Sequence, residues 1–564
     1  MAARSLSRPA ALVALLALAC LCEGARAEDP PAGGGAGAGG RGGGRPGGGR
    51  VVAQGPHASL SVALGRPTDR SVTINVLSAQ DLEVQVAVTS LAGEAPRMLP
   101  VSRLASGRPA EIELAGLAPS TRHAYRVRVR TPGETAWREG PGGAFHTQRP
   151  AGEAFTFTVQ GDSHPERQGR MFEPDLYEQA LANVAADAPD FHVLMGDDFS
   201  IDPLISRGAL DAAGVNAVYA RQRGWLGIAS ASAPLFLVNG NHECVGTWLL
   251  DGTEANAAVL AGRARNAYFS LPATDGFYSA DERRVEHIGL LRDYYAWTWG
   301  DALFVVLDAY WHSPVPVDHE SGQGGGPGDR RAAGEAPEPA AGGEAPEGGT
   351  RGARGEKGAK GGRGGGKGGA GRDLWKVSLG DAQYRWLAAT LANSKARWKF
   401  VFSHHVMGTG RGGVEVAPFY EWGGRDPRGD DTRFARERPG WDLPIHQLMA
   451  RHGVAIFFQG HDHLYARQQL DGITYQEVPC PADATYTTFN RDAYRSGDIL
   501  PNSGHLRVRV QASQVEVAYV RAVRPGEEGK AGARNGEVSL AYRLPLAAPA
   551  AAVTPPASPP QEPR

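Results

Sequence analysis

Short apolar runs recur along the second part of the chain, and each ends in a polar cluster. Residues 155–159, 191–195, 235–238, 399–402 and 454–458 have the length and the aromatic and β-branched content of buried strands. Between them the apolar spacing changes to a helical period over 175–184, 381–391 and 442–452. Strands interleaved with helices predict a layered α/β domain. Residues 506–510, 515–520 and 538–542 add terminal strands to it. A different pattern comes first. Residues 59–63, 71–76, 83–88 and 125–130 alternate polar and apolar positions with regular turns, which predicts a small all-β sandwich over 51–148.

The polar clusters are Gly161-Asp162-Ser163-His164, Gly196-Asp197-Asp198, Gly240-Asn241-His242-Glu243, Ser403-His404-His405 and Gly460-His461-Asp462-His463. Open sheets gather ligands beyond the carboxyl ends of their strands, so separate strands can deliver these residues to one place. Imidazoles, carboxylates and one amide are metal donors. They exclude a structural thiolate site but do not choose among Fe, Zn and Mn. Hydrolysis of a phosphate ester needs charge neutralised on its oxygens and a water made nucleophilic at neutral pH, and a pair of metal ions provides both.

The ordered set GDxH, GDxx, GNH[DE], a strand ending in His, then GHxH resembles the calcineurin-like metallophosphoesterase superfamily. The β-rich region before it is similar to that of secreted purple acid phosphatase-like and alkaline phosphatase D-like enzymes, which carry a fibronectin type III-like domain. The resemblance implies a four-layer αββα sandwich over 153–546, preceded by that small domain. It further implies one metal held by Asp162, His164, Asp197 and His463 and a second held by Asp197, Asn241, His404 and His461. Asp197 would bridge the two ions, divalent or mixed-valence Fe, Zn or Mn. His242 matches the family's substrate-facing histidine, a role that needs an imidazole poised near neutrality.

Asp198, Glu243 and Asp462 read as outer hydrogen-bond partners of the ligands, and His405 either faces the substrate or fills the turn after its strand. Purple acid phosphatases have Gly where this chain has His164, and Tyr where it has Ser200, so their iron–tyrosine colour is not expected. The segment 117–121 followed by Tyr125 resembles the tyrosine corner of fibronectin type III domains. The activity implied is metal-dependent hydrolysis of phosphate monoesters by water attack on phosphorus. The alternatives are a phosphodiesterase acting on nucleotide or lipid head-group diesters and, in another class, a secreted binding protein with a vestigial phosphoesterase domain. Arg263, Arg265 and Tyr268 are candidates to touch a leaving group or to make ordinary structural bonds.

Arg4 and Arg8, the apolar segment 10–21 and Ala25-Arg26-Ala27 form a Sec-type signal peptide over 1–27, which predicts a secreted or periplasmic mature chain without a transmembrane segment. Removal of 1–27 leaves Cys244 and Cys480, both near the site clusters, to form a bridge in an oxidising compartment. The 564 residues are too many for one core, and 41% hydrophobic content indicates folded mass despite 76 glycines. The Gly-rich leader 28–50, a Gly/Ala/Arg/Lys/Glu insertion over 314–372 and the Pro/Ala-rich tail 547–564 have too little apolar content to order themselves. A net charge of −2 carries no strong nucleic-acid signal, and oligomeric state stays open.

Overall fold

Alternation within one strand sets the layering. In Phe155–Gln160 the side chains of Phe155, Phe157 and Val159 enter an aromatic layer, while Thr156, Thr158 and Gln160 point the other way. The same layer receives Phe304, Phe400, Phe402 and Phe458 from a second sheet, with the Phe157 and Phe304 rings edge to face at 5.2 Å. Two sheets therefore pack face to face across these rings.

The structure is a computed structural model that describes residues 59–91, 95–243, 245–317, 373–407, 411–430 and 432–546. The predicted signal peptide and leader, the insertion from 318 to 372, Cys244 and the tail from 547 lie outside the described residues.

The first of these sheets runs in the order Val538–Pro545, Gln514–Arg521, Gly504–Val510, Phe155–Gln160, Phe191–Leu194, Leu235–Leu237. Its last three strands are parallel, with Val193 opposite both Val159 and Phe236. In the second sheet Ala302–Val306, Trp398–Phe402, Ile456–Gln459 and Ile473–Glu477 are also parallel. Leu194, Leu235 and Leu237 on the outer face of the first sheet share a core with Tyr177, Leu181 and Leu226 of the helices Pro174–Ala186 and Ala212–Ser230. Val305, Val401 and Phe457 share one with Leu387, Leu391 and Leu448 of Gly380–Asn393 and Ile445–Arg451. The architecture is αββα, as the motif order implied. No helix among the described residues is long and apolar enough to cross a membrane.

The preceding β-rich region forms two sheets around its own core of Val62, Ile74, Val84, Val86 and Val127. One contains Leu82–Ser90, Arg122–Arg130 and Arg138–His146 with two short strands; the other contains Leu60–Gly65, Val72–Ser78 and Ala110–Leu114. Gly65 pairs with Leu235, so the second of these runs on into the first sheet of the αββα sandwich. The tyrosine-corner expectation fails at Tyr125. Its buried hydroxyl donates to the Ala231 carbonyl at the end of helix Ala212–Ser230, 2.9 Å away, instead of returning to its own loop. His123 Nε2 makes the local bond, to the Ala118 carbonyl at 3.1 Å. The buried Arg223 of the same helix bonds Ser61 Oγ, Asn75 Oδ1 and the carbonyls of Asn75 and Tyr268, a second tie between the two regions.

Candidate metal centre

Five turns, each at the C-terminal end of a parallel strand, bring the predicted clusters together. Asp162 and His164 follow Phe155–Gln160; Asp197 follows Phe191–Leu194; Asn241 follows Leu235–Leu237; His404 follows Trp398–Phe402; and His461 and His463 follow Ile456–Gln459. His164, Asp197, His461 and His463 all have left-handed backbones, with φ of 49°, 58°, 80° and 52°. That conformation disfavours residues with a Cβ, and such strain concentrates at functional sites. Two of the glycines have steric reasons. A Cβ on Gly240 would collide with Asp197 Oδ1, and one on Gly460 would stand 2.5 Å from Asp162 Oδ1.

The side-chain atoms meet in two groups. In one, His164 Nε2 is 3.1 Å from His463 Nε2 and 3.5 Å from Asp197 Oδ2, and His463 Nε2 is 3.2 Å from Asp162 Oδ2. In the other, His404 Nε2 is 3.3 Å from Asp197 Oδ2, 3.0 Å from Asn241 Oδ1 and 3.2 Å from His461 Nδ1, which is 3.1 Å from Asn241 Oδ1. Asp197 Oδ2 faces both groups. Ligands about 2.0–2.2 Å from one ion stand roughly 3.0–3.5 Å from each other, so both donor sets fit a bound ion in spacing and in chemistry.

The surrounding partners fix this arrangement. Glu243 accepts the backbone N–H groups of Asp197, Asp198, Phe199 and Gly240 at 2.6–3.1 Å, holding two of the five turns against each other. Asp198 accepts from Ser163 Oγ at 2.5 Å and from Gln160 Nε2 at 3.1 Å. Asp462 accepts from Arg411 at 2.9 Å and from the Gly412 amide at 2.8 Å. The Asp162 carboxylate takes the His461 amide at 3.0 Å, and His404 Nδ1 donates to the Met195 carbonyl at 2.8 Å, which turns its Nε2 toward Asp197. The His405 ring is buried beside His461, with centroids 5.1 Å apart, and its Nδ1 lies 3.1 Å from the Val406 carbonyl.

Electrostatics follow from burial and proximity. Burial resists ionisation of Asp197, but His404 and His242 outweigh it and hold the carboxyl below its ordinary range. Burial alone would neutralise His404, whereas Asp197 and Asp162 push it well up. His164 and His461 are pushed well down, by burial first and then by neighbouring cations. His242 rises to about 9, because Asp197 and Asp202 together overcome its burial.

Asp202 and Arg167 were not singled out by the sequence. Asp202 Oδ2 is 2.5 Å from His242 Nδ1, and Arg167 Nη2 is 3.1 Å from His242 Nε2. Asp202 opens the one-turn helix Asp202–Ser206 and reads locally as a helix start; only the tertiary fold brings it to the imidazole. Arg265 is structural, donating to the carbonyls of Leu237 and Arg292. Tyr268 is buried, and Arg263 pairs with exposed Glu254. Cys480 is buried and bridged to no described residue, with burial pushing its thiol up; its expected partner Cys244 lies outside the described residues.

No family model and no curated protein sequence matches the chain. Solved structures do. PhoD superposes with a TM-score of 0.55 at 13% identity, over 86% of this chain and 90% of that one. A purple acid phosphatase, PPD1 from yellow lupin (Lupinus luteus) seeds, superposes with a TM-score of 0.50 at 15% identity, over 86% and 74% of the two chains. At these identities the likeness establishes the fold alone, the αββα sandwich.

Proposed function

We propose that the chain is an exported hydrolase of phosphate monoesters that uses two metal ions, one held by Asp162, His164, Asp197 and His463 and the other by Asp197, Asn241, His404 and His461. The observation that carries this reading is the single oxygen Asp197 Oδ2, which stands 3.5 Å from His164 Nε2 in one donor set and 3.3 Å from His404 Nε2 in the other. When bound, such a pair neutralises phosphoryl oxygens and activates water for attack on phosphorus. Fe, Zn and Mn are all compatible with these donors.

The chain's own groups then do three things. The His242 amide holds Asp197 Oδ1 at 2.8 Å, which leaves Oδ2 for the shared position. Asp202 keeps a proton on His242 Nδ1 and fixes the ring, so that Nε2 is turned to Arg167 Nη2. Arg167 Nη2 stands 3.1 Å from that Nε2 and donates to it when the ring is neutral. A phosphoryl oxygen is an acceptor that the Arg167 guanidinium and a protonated His242 would share. His242 is thereby placed to donate to the leaving oxygen as the P–O bond breaks. Beside His463 a cavity of 490 Å³, lined by Arg411, Phe489, Asn490 and Arg491, offers room for the leaving group; the exposed Phe489 ring is 6.1 Å from that of His463.

The experiment is a comparison of one chromogenic phosphomonoester with one phosphodiester, using the purified full chain supplied with each metal in turn. Faster turnover of the monoester supports the reading. Faster turnover of the diester would replace it with a phosphodiesterase, and turnover of neither ester together with no bound metal would favour a binding protein.

A further inference from the structure

A second buried group of metal-donor side chains shares no residue with the cluster above. Asp281 follows the short strand Ser279–Ala280, Asp293 precedes the strand Tyr295–Trp299, and His312 lies on the turn after Ala302–Val306. His312 Nε2 is 2.7 Å from Asp293 Oδ2 and 3.8 Å from Asp281 Oδ2. One donor atom from each residue lies within 4.8 Å of the other two. Asp281 is 5% exposed and Asp293 0%.

The pairing within this group is incomplete. Asp281 Oδ1 accepts the Arg283 amide at 2.9 Å, but the Arg283 guanidinium turns away to the Trp311 carbonyl at 2.8 Å. Asp281 Oδ2 and Asp293 Oδ1 are buried without a nitrogen donor, and the Asp281 carboxyl lies against Asp293 and the Tyr294 phenol. The Tyr294 phenol faces the pair, and burial and the two carboxylates push its ionisation up. Asp308 adds a third buried carboxylate to the field around His312. Three carboxylates against one imidazole leave net negative charge away from water, which is costly unless a cation or a shared proton offsets it.

We propose that Asp281, Asp293 and His312 form a separate mononuclear site for a divalent cation such as Mn²⁺ or Zn²⁺, structural in role. Carboxylates with one imidazole are a donor set that such ions accept. These two oxygens are the acceptors a cation would use; a proton shared between the carboxylates would join the same oxygens but remove only one negative charge, whereas a divalent cation offsets two. The ion would tie the segment 281–293 to the turn carrying Tyr310 and Trp311. That turn flanks the dinuclear cluster, since the Tyr310 ring stands 6.3 Å from His404 and 6.1 Å from His405.

The probe is Mn²⁺ at near-stoichiometric concentration with metal-depleted full-length protein. Anomalous diffraction from crystals of the unchanged chain is expected to show a peak among Asp281, Asp293 and His312, whatever the occupancy at Asp197. Equilibrium dialysis is expected to show Asp293→Asn binding one equivalent less Mn²⁺ than wild type. No peak among these residues at that concentration would overturn the proposal, as would equal stoichiometry in a folded Asp293→Asn. If that variant does not fold, diffraction from the wild type still decides.

Discussion

Asp202 Oδ2 stands 2.5 Å from His242 Nδ1, on the side of the ring away from the Arg167 guanidinium. The carboxylate fixes the tautomer and orientation of the imidazole. Asp202→Asn keeps the shape and removes the charge, so kcat is expected to fall about 10- to 100-fold, the usual cost of losing an imidazole's outer partner. Elemental analysis should find the metal content unchanged. Wild-type kcat in the variant would show that Asp202 does not position His242.

Arg167 has a different expected signature. If its guanidinium and His242 share a phosphoryl oxygen, Arg167→Gln loses a charge-assisted hydrogen bond of about 1.5–3 kcal/mol. KM for a phosphomonoester and the inhibition constant for inorganic phosphate should both rise by roughly 10- to 100-fold. Competitive inhibition assays check this, and an unchanged phosphate constant would remove Arg167 from the substrate site.

The layered α/β order was legible because the strands end in glycine-anchored polar turns, as at Gly240 before Asn241 and Gly460 before His461, whose spacing the chain itself dictates. The proposed ligand residues sit on those turns, and the fold brings neighbouring donor atoms in each set to about 3.0–3.5 Å. Asp202 and Arg167 were not legible, because each lies in a locally ordinary segment and gains its meaning only from where His242 lies in space. Tyr125 was misread for a related reason. Its local sequence fits a tyrosine corner, but the carbonyl that captures its hydroxyl belongs to Ala231, 106 residues away. The joining of the β-rich region to the first sheet of the αββα sandwich depends on one register pair, Gly65 with Leu235, which leaves no mark in strand alternation.

Arg223 predicts cooperativity between the two regions. Its guanidinium satisfies groups on Ser61 and Asn75 of the β-rich region and on Tyr268 of the αββα region. Arg223→Met should cost about 3–5 kcal/mol, since it strands buried acceptors. Calorimetry of the wild type should show both regions melting in one transition, while Arg223→Met should melt earlier or in two steps. Two well-separated transitions in the wild type would contradict the tie.

Asp187 predicts a pH dependence of stability. It lies just past the helix Pro174–Ala186, where the dipole disfavours an acid, yet it binds His505 at 2.8 Å and Arg507 at 2.7 Å. Burial raises its carboxyl, the two partners lower it more, and the net shift is downward. A depressed folded value means that the stabilisation is complete above the unfolded value near about 3.9 and is lost as pH falls through the folded one. Asp187→Asn should therefore lose about 1–2 kcal/mol at neutral pH, and its deficit against wild type should shrink below about pH 4. Denaturant melts at both pH values check it.

Asp197 is the residue on which both donor sets depend. Full-length protein is stripped of metal and resupplied with Fe, Zn or Mn, then assayed on a chromogenic phosphomonoester beside Asp197→Asn, with ions counted per chain at Asp162–His463 and Asn241–His461 by anomalous diffraction. Turnover is expected to return only with metal, with an ion in each of these two sets, and to fall by about 10³-fold or more in Asp197→Asn, as when a main source of charge stabilisation is removed. Turnover without metal, or wild-type turnover by Asp197→Asn, would contradict a shared two-metal centre.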